Sequence, residues 1–237
     1  MYKTVGNVRY SECGPDNQIK LASIVNYFQD CTTENSESIG VGHDFLRERK
    51  RAWLLNFWQI EIIRRPKTGE RIEVSTWATG FQGVMGPRDF KMNTSDGQEL
   101  VQAHSLWVYV DTETGRPVKP TEEDISPYTV GEPLPMEQIS RKIKVPEGCM
   151  EVDTFPVYQY HIDTNKHMNN SKYVELACEA IPEGFRVDKL RVEYKKAAVF
   201  GNVIVLKCIK QDTRIIAALC SEENETYAVV EFIGESL

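Results

Sequence analysis

Residues 19–28, Ile19-Lys20-Leu21-Ala22-Ser23-Ile24-Val25-Asn26-Tyr27-Phe28, place Leu21, Ile24, Val25 and Phe28 at i, i+3, i+4 and i+7. That single apolar stripe predicts an amphipathic helix with one buried face. A second stretch repeats it: within 169–180, Tyr173, Leu176, Ala177 and Ala180 hold the same spacing. A shift of 148 lays Asn17 on Asn165 and Val25 on Tyr173, and a shift of 132 lays Gly69 on Gly201. The first half carries the longer segment after its helix, and the chain reads as a duplicated unit.

Downstream of each helix the period changes. Residues 54–65, 70–79 and 100–110 are rich in β-branched and aromatic side chains, with Gly69 and Asp96-Gly97 as turn signals. Residues 187–197, 202–211, 213–220 and 226–233 read the same way, broken at Gly201 and Glu222-Glu223-Asn224. One helix followed by a run of strands predicts an α+β class, the helix packed on one face of an antiparallel sheet. A doubly wound nucleotide fold would need alternating helices and a Gly-rich loop, and the sequence has neither.

Six of the eleven prolines fall between 117 and 146. That composition predicts a connection, giving an N-terminal unit over 1–118, a Pro-rich linker over 119–150 and a C-terminal unit over 151–237. The 237 residues carry 28 Lys+Arg against 35 Asp+Glu, a net charge of −7, so a general nucleic-acid binder is not expected. No apolar run approaches the ~18 residues of a membrane span, and the first residues lack a signal peptide's apolar stretch. The six cysteines are scattered with no Cys-x-x-Cys pair, which points to a reducing cytoplasm and away from a zinc or disulfide framework.

The string His161-Ile162-Asp163-Thr164-Asn165-Lys166-His167-Met168-Asn169-Asn170 packs two His, one Asp and three Asn into ten residues directly before the second helix. Asn169 or Asn170 is suited to cap that helix, putting His167 about one turn before its backbone N–H groups. Those groups could hold a developing oxyanion, and a histidine beside them could activate water. Asp163 and Asn165 could orient the imidazole or the water. The chemistry needs no metal and no cofactor. A polar turn that only caps a helix fits the same residues equally well.

The pattern Asp163-x-Asn165-x-His167-x-Asn169-Asn170-x-x-Tyr173 resembles the motif of the acyl-acyl-carrier-protein thioesterases. The likeness extends to Ala52-Trp53-Leu54, Ile62 to Glu70, Arg88-Asp89-Phe90, Ser105 to Val108 and Asp111 to Pro117, and so spans nearly the whole chain. It implies two tandem hot-dog domains, each a long helix wrapped by an antiparallel sheet, which within one chain form the pairing that single-domain relatives reach by dimerising. It also implies hydrolysis of the thioester between a fatty acyl chain and acyl carrier protein, releasing free fatty acid. Acyl-coenzyme A hydrolysis is the alternative, and a non-catalytic acyl-binding protein a further one. The resemblance assigns the site to Asp163, Asn165 and His167. In the first half Ile19 falls where the repeat has His167, so no second site is expected. There Leu21, Ile24, Val25 and Phe28 are either core or the lining of an acyl-chain pocket.

One departure stands out. The family often places a Glu, sometimes followed by Cys, after a Tyr-basic-basic string, but here Tyr194-Lys195-Lys196 leads into Ala197-Ala198. More of the water activation then falls to His167. Cys178 with His167 and Asn165 has the residue types of a cysteine hydrolase, but beside Leu176 and Ala177 it reads as a small buried hydrophobe. His161, Asp163 and His167 could be drawn as metal ligands without a further strong ligand nearby, and His43 and His104 read as structural. Between 47 and 71, eight basic residues oppose three acidic ones. That surface is either salt-bridged and solvated or a docking face for an acidic carrier. The expected partner is acyl carrier protein, with no nucleic acid and no membrane, for a monomer or homodimer of double hot-dog chains.

Overall fold

The structure, a computed structural model, describes residues 1–137 and 139–236. The elements follow in the order β1 (Tyr2–Asn7), α1 (Leu21–Ser38), α2 (His43–Glu48), β2 (Arg51–Ile62), β3 (Arg71–Ala78), β4 (Met85–Thr94), β5 (Glu99–Asp111), α3 (Glu122–Ile125), β6 (Met150–Pro156), α4 (Asn170–Ala177), β7 (Phe185–Tyr194), β8 (Val203–Gln211), β9 (Arg214–Cys220) and β10 (Thr226–Ser236). Short 3-10 turns, Tyr10–Glu12 and Gln159–His161, precede the two main helices. The chain divides into unit one, Met1–Asn56 with Ile63–Glu137, and unit two, Phe57–Ile62 with the described residues 139–236.

In unit one, β1 pairs with β3, β3 with β4 and β4 with β5, all antiparallel. The predicted stripe is the buried face of α1: Leu21, Ile24, Val25, Phe28 and Cys31 are all buried, and the Phe28 ring lies 5.0 Å from Phe90. The helix ends where Gly40 turns left-handed (φ 79°), with the Gly40 N–H on Glu37 O and the Val41 N–H on Ser36 O. Strand β4 is absent from the sequence expectation because its centre is charged. Arg88 and Asp89 are buried on opposite faces of the strand. Arg88 donates to Asn35 Oδ1 and Thr76 Oγ1 at 3.0 Å, while Asp89 accepts from His104 and from the Leu134 N–H, each at 2.7 Å. Residues 130–136 are tied down by that bond and by Trp77 Nε1, which donates to Glu132 O at 2.9 Å.

In unit two, Phe57–Glu61 of β2 pairs with β7, followed by β10, β9, β8 and β6, again all antiparallel. Helix α4 packs against β9 and β10. Ile143 packs with Ile216 and Val229, and Ile215 to Cys220 of β9 are all buried. The segment around Ile143 is held by its N–H on Glu193 Oε2 at 2.9 Å and by Arg191 on Ser140 O. Arg191 and Arg214 both pair with Glu231, whose buried carboxylate would be costly without them.

The backbone bonds fix the register of the repeat. Gly14 N–H donates to Gln18 O as Asp163 N–H does to His167 O, and Cys13 bridges Ile19 as Ile162 bridges Met168. Each match is a shift of 149, one more than residue types suggest, so Gln18 and not Ile19 stands where unit two has His167. The left-handed residues agree, Asn17 at φ 59° matching Lys166 at φ 63°. Past the helix and the strand that follows it the shift of 132 holds: Ile19 N–H meets Pro66 O as Met168 N–H meets Ala198 O.

Candidate active site

The turn before α4 gathers Asp163, Asn165 and His167 into five residues. Asp163 Oδ1 accepts the Asn165 N–H at 2.8 Å and the His167 N–H at 3.3 Å, and the Lys166 N–H donates to Asp163 O. The carboxylate bonding backbone two residues on closes an Asx turn just ahead of the left-handed Lys166 (φ 63°). Asp163 thus shapes the turn through its carboxylate Oδ1, which holds the backbone N–H groups of Asn165 and His167. His167 is half-buried and Asn165 exposed.

Asn169 caps the helix, its Oδ1 accepting the Ser171 N–H and hydroxyl, both at 2.9 Å, while the Lys172 N–H bonds Asn169 O. The Ser171 and Lys172 N–H groups are therefore engaged by the cap. That withdraws them from the oxyanion role expected of the helix start.

On the other side of the turn, Met168 N–H donates to Ala198 O at 2.8 Å, so the residue after His167 is stitched to the segment following β7. Strand β7 ends at Tyr194, and Ala197 lies exposed beyond it rather than within the strand. Tyr173 is buried, its hydroxyl accepts the Ala198 N–H at 2.8 Å, and burial pushes its phenol up to about 12. Its ring meets Tyr194 edge-on, with centroids 5.7 Å apart, and Tyr194 donates to Asn170 O. Behind the turn, His161 Nδ1 accepts the Tyr158 N–H at 3.1 Å, and burial, aided by Lys172, holds the imidazole below the ordinary histidine value.

The remaining sequence candidates lie elsewhere. Cys178 is half-buried, not buried, at the C-terminal end of α4, eight residues or about 12 Å along the axis from its start. His104 is not an isolated structural histidine, since its Nδ1 meets buried Asp89. The Asp96-Gly97 turn sets positions summing to 192 opposite one another, and the irregularity between Met92 and Asn93 moves the register to 193, which places Asp89 opposite His104. Leu21, Ile24, Val25 and Phe28 are buried in unit one. Among the described residues, no group of three or more His, Cys, Asp or Glu could hold a metal ion.

The basic stretch 47–71 does not form one surface. Arg47, Arg49, Lys50 and Arg51 pair with Asp44, Glu123, Glu113 and Asp111, while Arg64 and Arg65 pair with Glu70 and Asp16. The two groups flank the twelve-residue strand β2, which at ~3.3 Å per residue sets them roughly 40 Å apart. The salt-bridged reading is the one the structure favours.

Residues 1–128 match the family model described as the acyl-ACP thioesterase N-terminal domain and 146–230 the model for its C-terminal domain. The chain belongs to the acyl-ACP thioesterase family. It is 26% identical over 216 residues to a chloroplastic dodecanoyl-[acyl-carrier-protein] hydrolase of Cinnamomum camphora, covering 83% of this chain and 56% of that one. A chloroplastic acyl-[acyl-carrier-protein] hydrolase of Cuphea viscosissima is 28% identical over 230 residues, 88% of this chain and 55% of its own length. The chain therefore spans about half the length of these curated relatives. Its fold is similar to an acyl-ACP thioesterase from Bacteroides thetaiotaomicron (TM-score 0.90, 22% identity, 98% of this chain and 97% of that one). It is also similar to a 12:0-ACP thioesterase from Umbellularia californica (TM-score 0.89, 19% identity, all of this chain and 97% of that one). The fold is the α+β hot-dog expected. No helix among the described residues is long and apolar enough to cross a membrane.

Proposed function

We propose that this chain hydrolyses the thioester of fatty acyl-acyl-carrier protein to free fatty acid and the carrier thiol. The observation that carries the reading is the Asp163–His167 turn, stitched to Ala198 and standing in unit two of a chain that both family domains match. Water attacks the thioester carbon, His167 takes its proton, the carbon–sulfur bond breaks and the proton goes to the leaving thiolate. Asp163 sets the turn, and Asn165 positions the water. With a methyl group at Ala197, His167 acts without help from a carboxylate at that position. Leu21, Ile24, Val25 and Phe28 line the acyl-chain pocket, in keeping with the apolar character of such sites. The six free cysteines suit a reducing cytoplasm.

The test is free-thiol release from matched panels of acyl-carrier-protein and acyl-coenzyme A esters. Higher kcat/KM on the carrier protein is expected. A preference for the coenzyme A esters would reassign the carrier, and no release from either panel would make the chain a non-catalytic acyl-binding protein.

A further inference from the structure

The two units hold the same turn from opposite sides. In unit one the matching position to Ala197 is Arg65, whose guanidinium donates to Ile19 O at 3.2 Å and pairs with Asp16, the counterpart of Asn165. That side chain crosses the place where unit two has only the methyl of Ala197. Unit two secures its turn from the core side instead, through Tyr173 and Ala198. Neither partner of that bond exists in unit one: Tyr173 is matched by Ile24, and Ala198 by Pro66, which has no N–H. The neighbouring bond from Tyr194 to Asn170 O lacks its donor in unit one, where Ile62 stands for Tyr194.

We propose that Tyr173 is a positioning residue, whose hydroxyl, by holding the Ala198 N–H, fixes the His167 turn from behind and leaves its Ala197 side open to substrate. Unit one shows that the fold does not require this bond, because Pro66 with Ile24 meets the same backbone need with no polar group to satisfy. What unit two gains is a rigid link from α4 through Ala198 to Met168, the residue next to His167. A displacement of ~1 Å in a reacting group costs on the order of 100-fold in rate, so such a link bears on turnover rather than on binding.

This inference rests on the hydrolase reading, and its test separates the two. Tyr173→Phe should lower kcat about tenfold or more with KM within about twofold, and should speed amide exchange in peptides covering 163–168. The double variant Tyr173→Phe with Ala198→Pro copies the solution of unit one. It should recover the thermal midpoint of the wild type without recovering kcat. Full recovery of kcat alongside stability would show that Tyr173 only satisfies a buried N–H, and wild-type kcat in Tyr173→Phe would overturn the proposal outright. If the wild type hydrolyses neither panel of esters, the hydrolase reading fails, and exchange over 163–168 alone decides: unchanged rates in Tyr173→Phe overturn the positioning role.

Discussion

Unit one closes its turn with a guanidinium bridging Asp16 and Ile19 O, and carries Gln18 where unit two carries His167. Unit two keeps the same backbone bonds around the turn, Asp163 N–H on His167 O and Met168 N–H on Ala198 O, and changes only what projects from them. The contrast extends one element back. Both units tie a 3-10 turn with a side chain that accepts the N–H three residues earlier, Glu12 from Arg9 in unit one and His161 from Tyr158 in unit two. A scaffold of backbone bonds can thus be kept whole while its side chains set one copy aside as structure and leave the other fit for chemistry.

The largest expected effect separates the two turns directly. His167→Ala should lower kcat/KM for thioester hydrolysis by ~10²–10⁴-fold, the range of a positioned general base, with an unchanged thermal midpoint. Gln18→Ala, its counterpart, should leave the rate within about twofold of the wild type. Comparable losses from both would erase the distinction between the units.

A smaller effect should come from installing the closure of unit one in unit two. Adding Ala197→Arg to Asn165→Asp recreates the Arg65–Asp16 pair, and should cost about tenfold in kcat/KM relative to Asn165→Asp alone. Stability should move by less than ~1 kcal/mol, as for an exposed pair. An added arginine with no effect on rate would mean that the Ala197 side is not the open side.

The smallest effect concerns His161. Its folded pKa is depressed, so below the ordinary histidine value the unfolded chain takes up a proton that the folded chain resists, and stability falls as pH drops through that range. Protonation at Nδ1 would also remove the acceptor of the Tyr158 N–H. His161→Gln should flatten the fall in Tm between neutral and mildly acid pH by a few degrees, read by calorimetry. An unaltered slope would place the acid sensitivity elsewhere.

Sequence legibility followed the same divide between backbone pattern and side-chain environment. The stripe of α1 was legible because burial on one helix face leaves a period, and the string 161–170 because so many polar residues before a helix need a purpose. Strand β4 was hidden because covering both of its faces allowed Arg88 and Asp89 to be buried and paired, which breaks alternation. Strands β1 and β6 pair on one side only and are largely exposed, so they show no pattern either. Matching Asn17 to Asn165 by residue type places the repeat one residue off, because the left-handed turn position is Asn17 in one unit and Lys166 in the other. The charge count over 47–71 misled because a strand carries its two ends far apart.

The pairing of Ile24 with Pro66, against Tyr173 with Ala198, also governs which variants of the two units can be reached by single changes. Ile24→Tyr alone would bury a hydroxyl beside a proline that offers it no N–H. Pro66→Ala alone would bury an N–H beside an isoleucine that offers no acceptor. Either intermediate carries an unsatisfied buried group worth about 1–3 kcal/mol, a sizeable share of the ~5–15 kcal/mol by which a folded protein typically survives. The two forms of the turn stand on opposite sides of a stability valley, and drift by single substitutions tends to keep each unit in the role it already has.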